Sequence, residues 1–180
     1  MQKYISILRG INVGGKTLNM ADLQAMLEEM GFKNVSTYIQ SGNVFFQTQK
    51  EKPEILEKMI KEHIKTDFGI EVSVIILTPQ KIEKIIQSNP FQNEPGKDIK
   101  FMHVTFLQSV PENYDIQALE NKKTGDEKLA FTDDAVYLFC PHGYGKSKLV
   151  NSLFENKLKV IATTRNWKTT LKLKELVEDF

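Results

Sequence analysis

Val35-Ser36-Thr37-Tyr38-Ile39-Gln40-Ser41-Gly42-Asn43-Val44-Phe45-Phe46-Gln47 decides the fold. Residues 35–40 and 44–47 are two β-rich runs joined through Ser41-Gly42-Asn43, a hairpin signal. Upstream, Met20, Leu23, Leu27 and Met30 recur at helical spacing. Asn19 suits the N-cap of that helix, Asp22 its third position, and Gly31 its stop. Downstream, Pro53 opens a second helix with Leu56, Ile60, Ile64 and Phe68 on one side and Gly69 at its end. Apolar runs at 4–8 and 72–77 lie beyond the helices. Strand, helix, strand, strand, helix, strand is the order of a ferredoxin-like sandwich.

The second half repeats that order. It offers a strand at 101–107, a short helix at 114–121 and a hairpin of 128–131 with 135–140 around Asp133-Asp134. An amphipathic helix marked by Leu149, Val150, Leu153 and Phe154 follows, then a short strand at 160–164. A final helix carries Leu173, Leu176, Val177 and Phe180. Between the halves, Thr78-Pro79 opens a helix with Ile82, Ile85 and Ile86 inward, ending at Asn89-Pro90-Phe91. The polar stretch 92–100, with Pro95 and Gly96, reads as the interdomain loop. The expectation is an α+β protein of two ferredoxin-like subdomains, residues 1–78 and 101–180, joined by a linking helix and loop at 79–100.

Composition narrows the function classes. The chain has 180 residues, 41% apolar and 26% charged, as ordinary globular proteins do. With 24 basic and 23 acidic residues it lacks the lopsided charge of a strongly basic nucleic-acid binder. The single cysteine, Cys140, excludes an internal disulfide and fits a reducing cytoplasm. The N-terminal apolar stretch is too short for a signal peptide, and no run approaches the ~20 apolar residues of a membrane span, so no membrane partner is expected.

The unusual chemistry lies in Gly-bounded polar segments. Arg9-Gly10-Ile11-Asn12-Val13-Gly14-Gly15-Lys16 is a strand-to-helix loop with three glycines and two cations. Such a loop brings backbone N–H groups close to a ligand and suits anions. In a βαββαβ sheet the first two strands run parallel, so this loop and the turn Gln40-Ser41-Gly42-Asn43 finish at one end. Arg9, Asn12, Gly14, Gly15, Lys16, Gln40, Ser41 and Asn43 are therefore expected to form one ligand-binding cluster. The plainer reading makes Gly14, Gly15, Gly42 and Asn43 turn residues only.

A second pair of segments lies in the second half. His142-Gly143-Tyr144-Gly145-Lys146-Ser147 imitates the end of a phosphate-binding P-loop, but Cys140 stands where the motif needs its first glycine. An ATPase reading fails on that ground, and a weaker anion site at the following helix N-terminus stays open. Thr163-Thr164-Arg165-Asn166-Trp167-Lys168 should lie at the same end of the second sheet. Lys146, Ser147, Arg165, Asn166 and Trp167 are the expected second polar cluster, lining a groove between the two units. The plainer reading makes Asn166 a helix cap and Trp167 a core residue.

Other candidates are poorer. Cys140 and His142 do not make a zinc site, because His63 and His103 lie on other elements. No metal or cofactor is implied, and no pair of carboxylates stands out for acid–base work, so no catalytic residue is assigned. The favoured ligand is a small anion such as a nucleotide or phosphorylated metabolite. The alternative is a nucleic-acid-binding module stacking bases on Tyr4, Tyr38, Phe45 and Phe46. It lacks the aromatic-glycine signature of RNA-recognition motifs, and adjacent Phe45 and Phe46 point to opposite faces.

LRGINVGGK at 8–16, MADL at 20–23, TYIQSGNV at 37–44, NPF at 89–91, PHGYGKSKL at 141–149 and ATTRNWKT at 162–169 give the chain a further resemblance. In these segments it resembles the bacterial family known as domain of unknown function 1697. The resemblance covers essentially the whole chain. It implies two ferredoxin-like subdomains and leaves the activity open.

Overall fold

A computed structural model describes the whole chain except Val13, Gly14, Lys16 and Asn113. Two compact units result, Met1–Ile82 with Leu173–Phe180, and Glu83–Lys172.

The first unit runs β1 (Gln2–Arg9), α1 (Met20–Glu29), β2 (Lys33–Tyr38), β3 (Asn43–Thr48), α2 (Pro53–Phe68) and β4 (Ser73–Leu77). Its sheet has the order β2-β3-β1-β4 with every neighbouring pair antiparallel. Since β3 is antiparallel to both β1 and β2, those two run parallel, as the crossover through α1 requires. Side chains alternate across the sheet. Tyr4, Leu8, Val44, Phe46, Val74 and Ile76 join Leu23, Leu27, Leu56, Ile60 and Ile64 of the helices in one buried core. Leu23 and Leu27 are wholly buried, so truncating either to alanine costs about 2–5 kcal/mol. The opposite face holds Ile5, Ile7, Phe45, Ile75 and Leu77, also buried, and Phe180 packs on Phe45 at 6.0 Å between ring centroids.

Local signals explain the helices. The Asn19 side chain accepts from the Ala21 amide, with Asp22 in the first turn of α1. Pro53 opens α2, and Gly69 closes it in the left-handed conformation at φ 66°. The buried Glu57 of α2 accepts from the Ile76 amide at 2.9 Å, satisfying a donor on edge strand β4.

The second unit contains most of α3 (Pro79–Gln87), then β5 (Met102–Leu107), α4 (Ile116–Glu120), β6 (Lys128–Phe131), β7 (Ala135–Phe139), α5 (Asn151–Leu158) and β8 (Ala162–Asn166). The final helix α6 (Trp167–Asp179) begins in this unit. Its sheet order, β6-β7-β5-β8, repeats the first topology, again antiparallel throughout. Leu107, Leu119, Val136, Leu138, Leu149, Phe154 and Leu158 form its helix-side core. The molecule is thus α+β, with two four-stranded antiparallel sheets consistent with two ferredoxin-like subdomains.

Three details depart from expectation. The division between units falls within α3, and the end of α6 groups with the first unit, whereas the sequence suggests a boundary in 79–100. The stretch 92–100 lies inside the second unit, where the Lys97 ammonium sits 4.4 Å from the Phe91 ring centroid and 5.3 Å from that of Phe139. Proline, glycine and charge mark a turn as well as a linker, and here they mark a turn. Finally, the first hairpin turns on Ile39, Gln40, Ser41 and Gly42, so Asn43 belongs to β3, and β8 runs on through Arg165 and Asn166.

Candidate functional site

The end of β1 and the β2–β3 turn meet through Asn12. Its side-chain amide donates to the Gln40 carbonyl at 2.8 Å and to the Leu18 carbonyl at 3.0 Å. Its side-chain oxygen accepts from the Leu18 amide at 2.8 Å. One residue therefore closes the loop before α1 on itself and ties it to the turn. Asn12 sits at φ 55°, a conformation asparagine tolerates better than most residues. Arg9 ends β1 opposite Ser73 and is half-buried. Gly10 and Gly15 have φ 72° and 90°.

The turn is built as tightly. The Leu8 amide donates to the Gly42 carbonyl at 2.8 Å. A Cβ on Gly42 would lie 2.6 Å from Ile11 Cδ1 and 2.8 Å from Leu8 Cβ, and φ is 73°. Glycine is required there for space and for conformation. Asn43 is wholly buried, and its amide donates to the Tyr38 carbonyl at 3.2 Å and to Ser41 Oγ at 2.9 Å. The Gln40 side chain is exposed and Ser41 half-buried.

The predicted cluster thus separates into two kinds of residue. Asn12 and Asn43 spend their amides on the frame. Ser41 belongs to the same frame, because its Oγ accepts from Asn43, while Arg9 closes β1 and Gln40 lies in the turn that the frame holds. Gly14 and Lys16 lie outside the described residues. Ile39, which the sequence places within a strand at 35–40, lies instead in the turn, 49% exposed at φ 52°. The register that pairs Tyr38 with Asn43 sets this four-residue turn.

Tyr4, Phe45 and Phe46 are at most 1% exposed. Tyr4 instead donates its hydroxyl to the Glu51 carbonyl at 2.7 Å, and Phe46 stacks on Phe32 at 4.5 Å. These rings are core, and only Tyr38 of the four proposed base-stacking aromatics is even half-exposed.

In the second unit, Lys146 is exposed in a single 3-10 turn, Tyr144–Lys146. Ser147 is buried, and its hydroxyl oxygen accepts from the Leu149 amide at 3.0 Å. Helix α5 starts four residues later, at Asn151, so Gly145-Lys146-Ser147 does not form its N-terminus. Asn166 accepts from the Thr169 amide at 2.8 Å, the bond of an N-cap, and Trp167 is 2% exposed. Arg165 donates from Nη1 to Thr163 Oγ1 and to the Thr164 carbonyl, both at 3.0 Å. Burial pushes its guanidinium pKa down to about 10, which still leaves it charged at neutral pH. His103 pairs with Asn166 across the sheet, and its ring stacks on Tyr144 at 4.7 Å. The loop after β7 therefore lies at the same end of the sheet as the close of β8, as the topology predicts.

The family of proteins of unknown function DUF1697 matches residues 1–137, about three-quarters of the chain. The chain belongs to that family. It is also similar to the solved structure of the conserved bacterial protein SP0830 from Streptococcus pneumoniae. The two share 26% identity and a TM-score of 0.72 over 99% of each chain. No curated protein matches the sequence.

The single cysteine of this DUF1697 member is not an activated nucleophile. Cys140 is fully buried, and its thiol pKa is pushed up to about 11 by desolvation first and by the nearby Glu127 carboxylate second. Such a thiol is inert. His142 bonds Asp126 at 2.9 Å on the surface, with both side chains about two-thirds exposed. Among the described residues no group of three or more His, Cys, Asp or Glu could hold a metal ion. No helix among them is long and apolar enough to cross a membrane.

Proposed function

We propose that this DUF1697 protein binds a small anion, with a phosphate or carboxylate group, at the end of the first sheet. Arg9 supplies the fixed charge and a fork of donors that matches either group. The loop backbone around Gly10 and Gly15 supplies N–H donors with no side-chain entropy to lose. The observation that carries the reading is Asn12. Two of its hydrogen bonds close a positive-φ, glycine-bounded loop on itself, and the third ties that loop to the β2–β3 turn. A pre-organised loop loses less on binding than one that must be ordered by its ligand.

The competing reading, stacking of nucleic-acid bases on the sheet, has less support because Tyr4, Phe45 and Phe46 are buried. Near-neutral charge also gives little counterion-release drive. A thermal-shift screen of inorganic phosphate, nucleotides and sugar phosphates tests the proposal. The expected result is a hit that Arg9→Ala abolishes. A hit that survives Arg9→Ala would move the site elsewhere, and binding to single-stranded RNA that weakens steeply with salt would favour the competitor.

A further inference from the structure

Ile39 occupies the tip of the β2–β3 turn at φ 52°. Among the described residues, the other non-glycines at positive φ are Asn12, Asn34 and Lys159. Asparagine tolerates that conformation, and Lys159 is the left-handed C-cap of α5. Isoleucine is branched at Cβ and crowds the backbone there, so glycine or asparagine would hold this turn at lower cost. Burial does not offset the strain, since the side chain is 49% exposed.

The strained residue adjoins the candidate site. The next residue, Gln40, receives the Asn12 amide at 2.8 Å, and Gly42 receives the Leu8 amide at 2.8 Å. Tyr38, immediately before Ile39, pairs with Asn43, which pairs in turn with Ile7 near the end of β1. A side chain held in an unfavourable conformation beside a pinned loop points to use of that side chain.

We infer that Ile39 is a specificity-determining contact, and that the ligand carries an apolar group beside its anionic group. The inference rests on the anion-binding reading above. Arg9 and the loop amides would take the charged end, and Ile39 would cover the apolar group, for which a phenyl ring serves as the probe.

Inorganic phosphate and phenyl phosphate separate the two claims, because they share the charged group and differ in the ring. Wild type is expected to bind phenyl phosphate more tightly than phosphate. Ile39→Asn should weaken phenyl phosphate about four-fold, the worth of burying one methylene group, and leave phosphate unchanged. The same variant, freed of strain, should melt ~2–4 °C higher without ligand. Equal phenyl phosphate affinity in the two proteins would overturn the inference and leave the anion site standing. A lower melting temperature would overturn it too, by showing that Ile39 is kept for packing. Failure of wild type to bind either probe would remove the anion site and this inference with it.

Discussion

The side-chain amide of Asn12 donates to the backbone carbonyl of Gln40 at 2.8 Å, across 28 residues of sequence. That bond joins the end of β1 to the β2–β3 turn, and two further bonds to Leu18 close the loop on itself. A polar side chain that satisfies three backbone groups is a structural clamp.

Removing the clamp should be felt as stability. Asn12→Ala leaves one carbonyl and one amide of Leu18 and the Gln40 carbonyl short of a partner, and forces alanine to φ 55°. A loss of about 2–3 kcal/mol is expected in urea unfolding. Asn12→Gly keeps the backbone conformation and should lose less. A change within about 0.5 kcal/mol for Asn12→Ala would mean the clamp is idle.

Gly42 tests the packing of the same junction. Gly42→Ala drives a methyl group to within 2.8 Å of Leu8 Cβ at φ 73°, so relaxation of the Ile11 side chain alone cannot relieve it. The expected cost is about 2–4 kcal/mol, read from the shift in urea midpoint at constant slope. A variant as stable as wild type would contradict the geometry.

Cys140 should be silent toward thiol reagents in the native protein. It is wholly buried, and its pKa is pushed up to about 11. Ellman's reagent at about pH 8 should find no thiol until denaturant is added, then one per chain. Rapid stoichiometric reaction without denaturant would put the residue in a different environment.

His103 gives the fold a dependence on pH. Burial is the larger influence and lowers its pKa below the ordinary 6.5, against a smaller opposing hydrogen bond to the Phe101 carbonyl. The unfolded chain therefore binds the proton first as pH falls. Stability should drop as pH passes down through about 6.5 and stay reduced below the folded-state value. Melting curves from about pH 8 to about pH 5 should show a shallower decline for His103→Gln than for wild type. Parallel declines would show that His103 titrates alike in both states.

The fold was legible because its signals are local and redundant. Asn19, Pro53 and Gly69 each fix a helix end, and the period of Leu56, Ile60 and Ile64 fixes a buried face. Topology then placed the Arg9 loop beside the Gln40 turn, since β1 and β2 must run parallel. The division of labour within the cluster was not legible. Asn12 and Asn43 look like ligand donors in sequence, and only distances show that their amides are taken by Gln40, Leu18, Tyr38 and Ser41. Trp167 beside Arg165 and Lys168 reads equally as a stacking platform or as core, because burial of a lone aromatic depends on partners distant in sequence. At 2% exposure it is core.

The most direct test of the central claim is an amide ¹H–¹⁵N titration with inorganic phosphate. Shifts concentrated at Gly10, Asn12, Gly15, Gln40 and Ser41, and absent in Arg9→Ala, are the result this account predicts. Shifts confined to other lysine-bearing surfaces, such as Lys50 and Lys52 before α2, or no shifts at all, would contradict it.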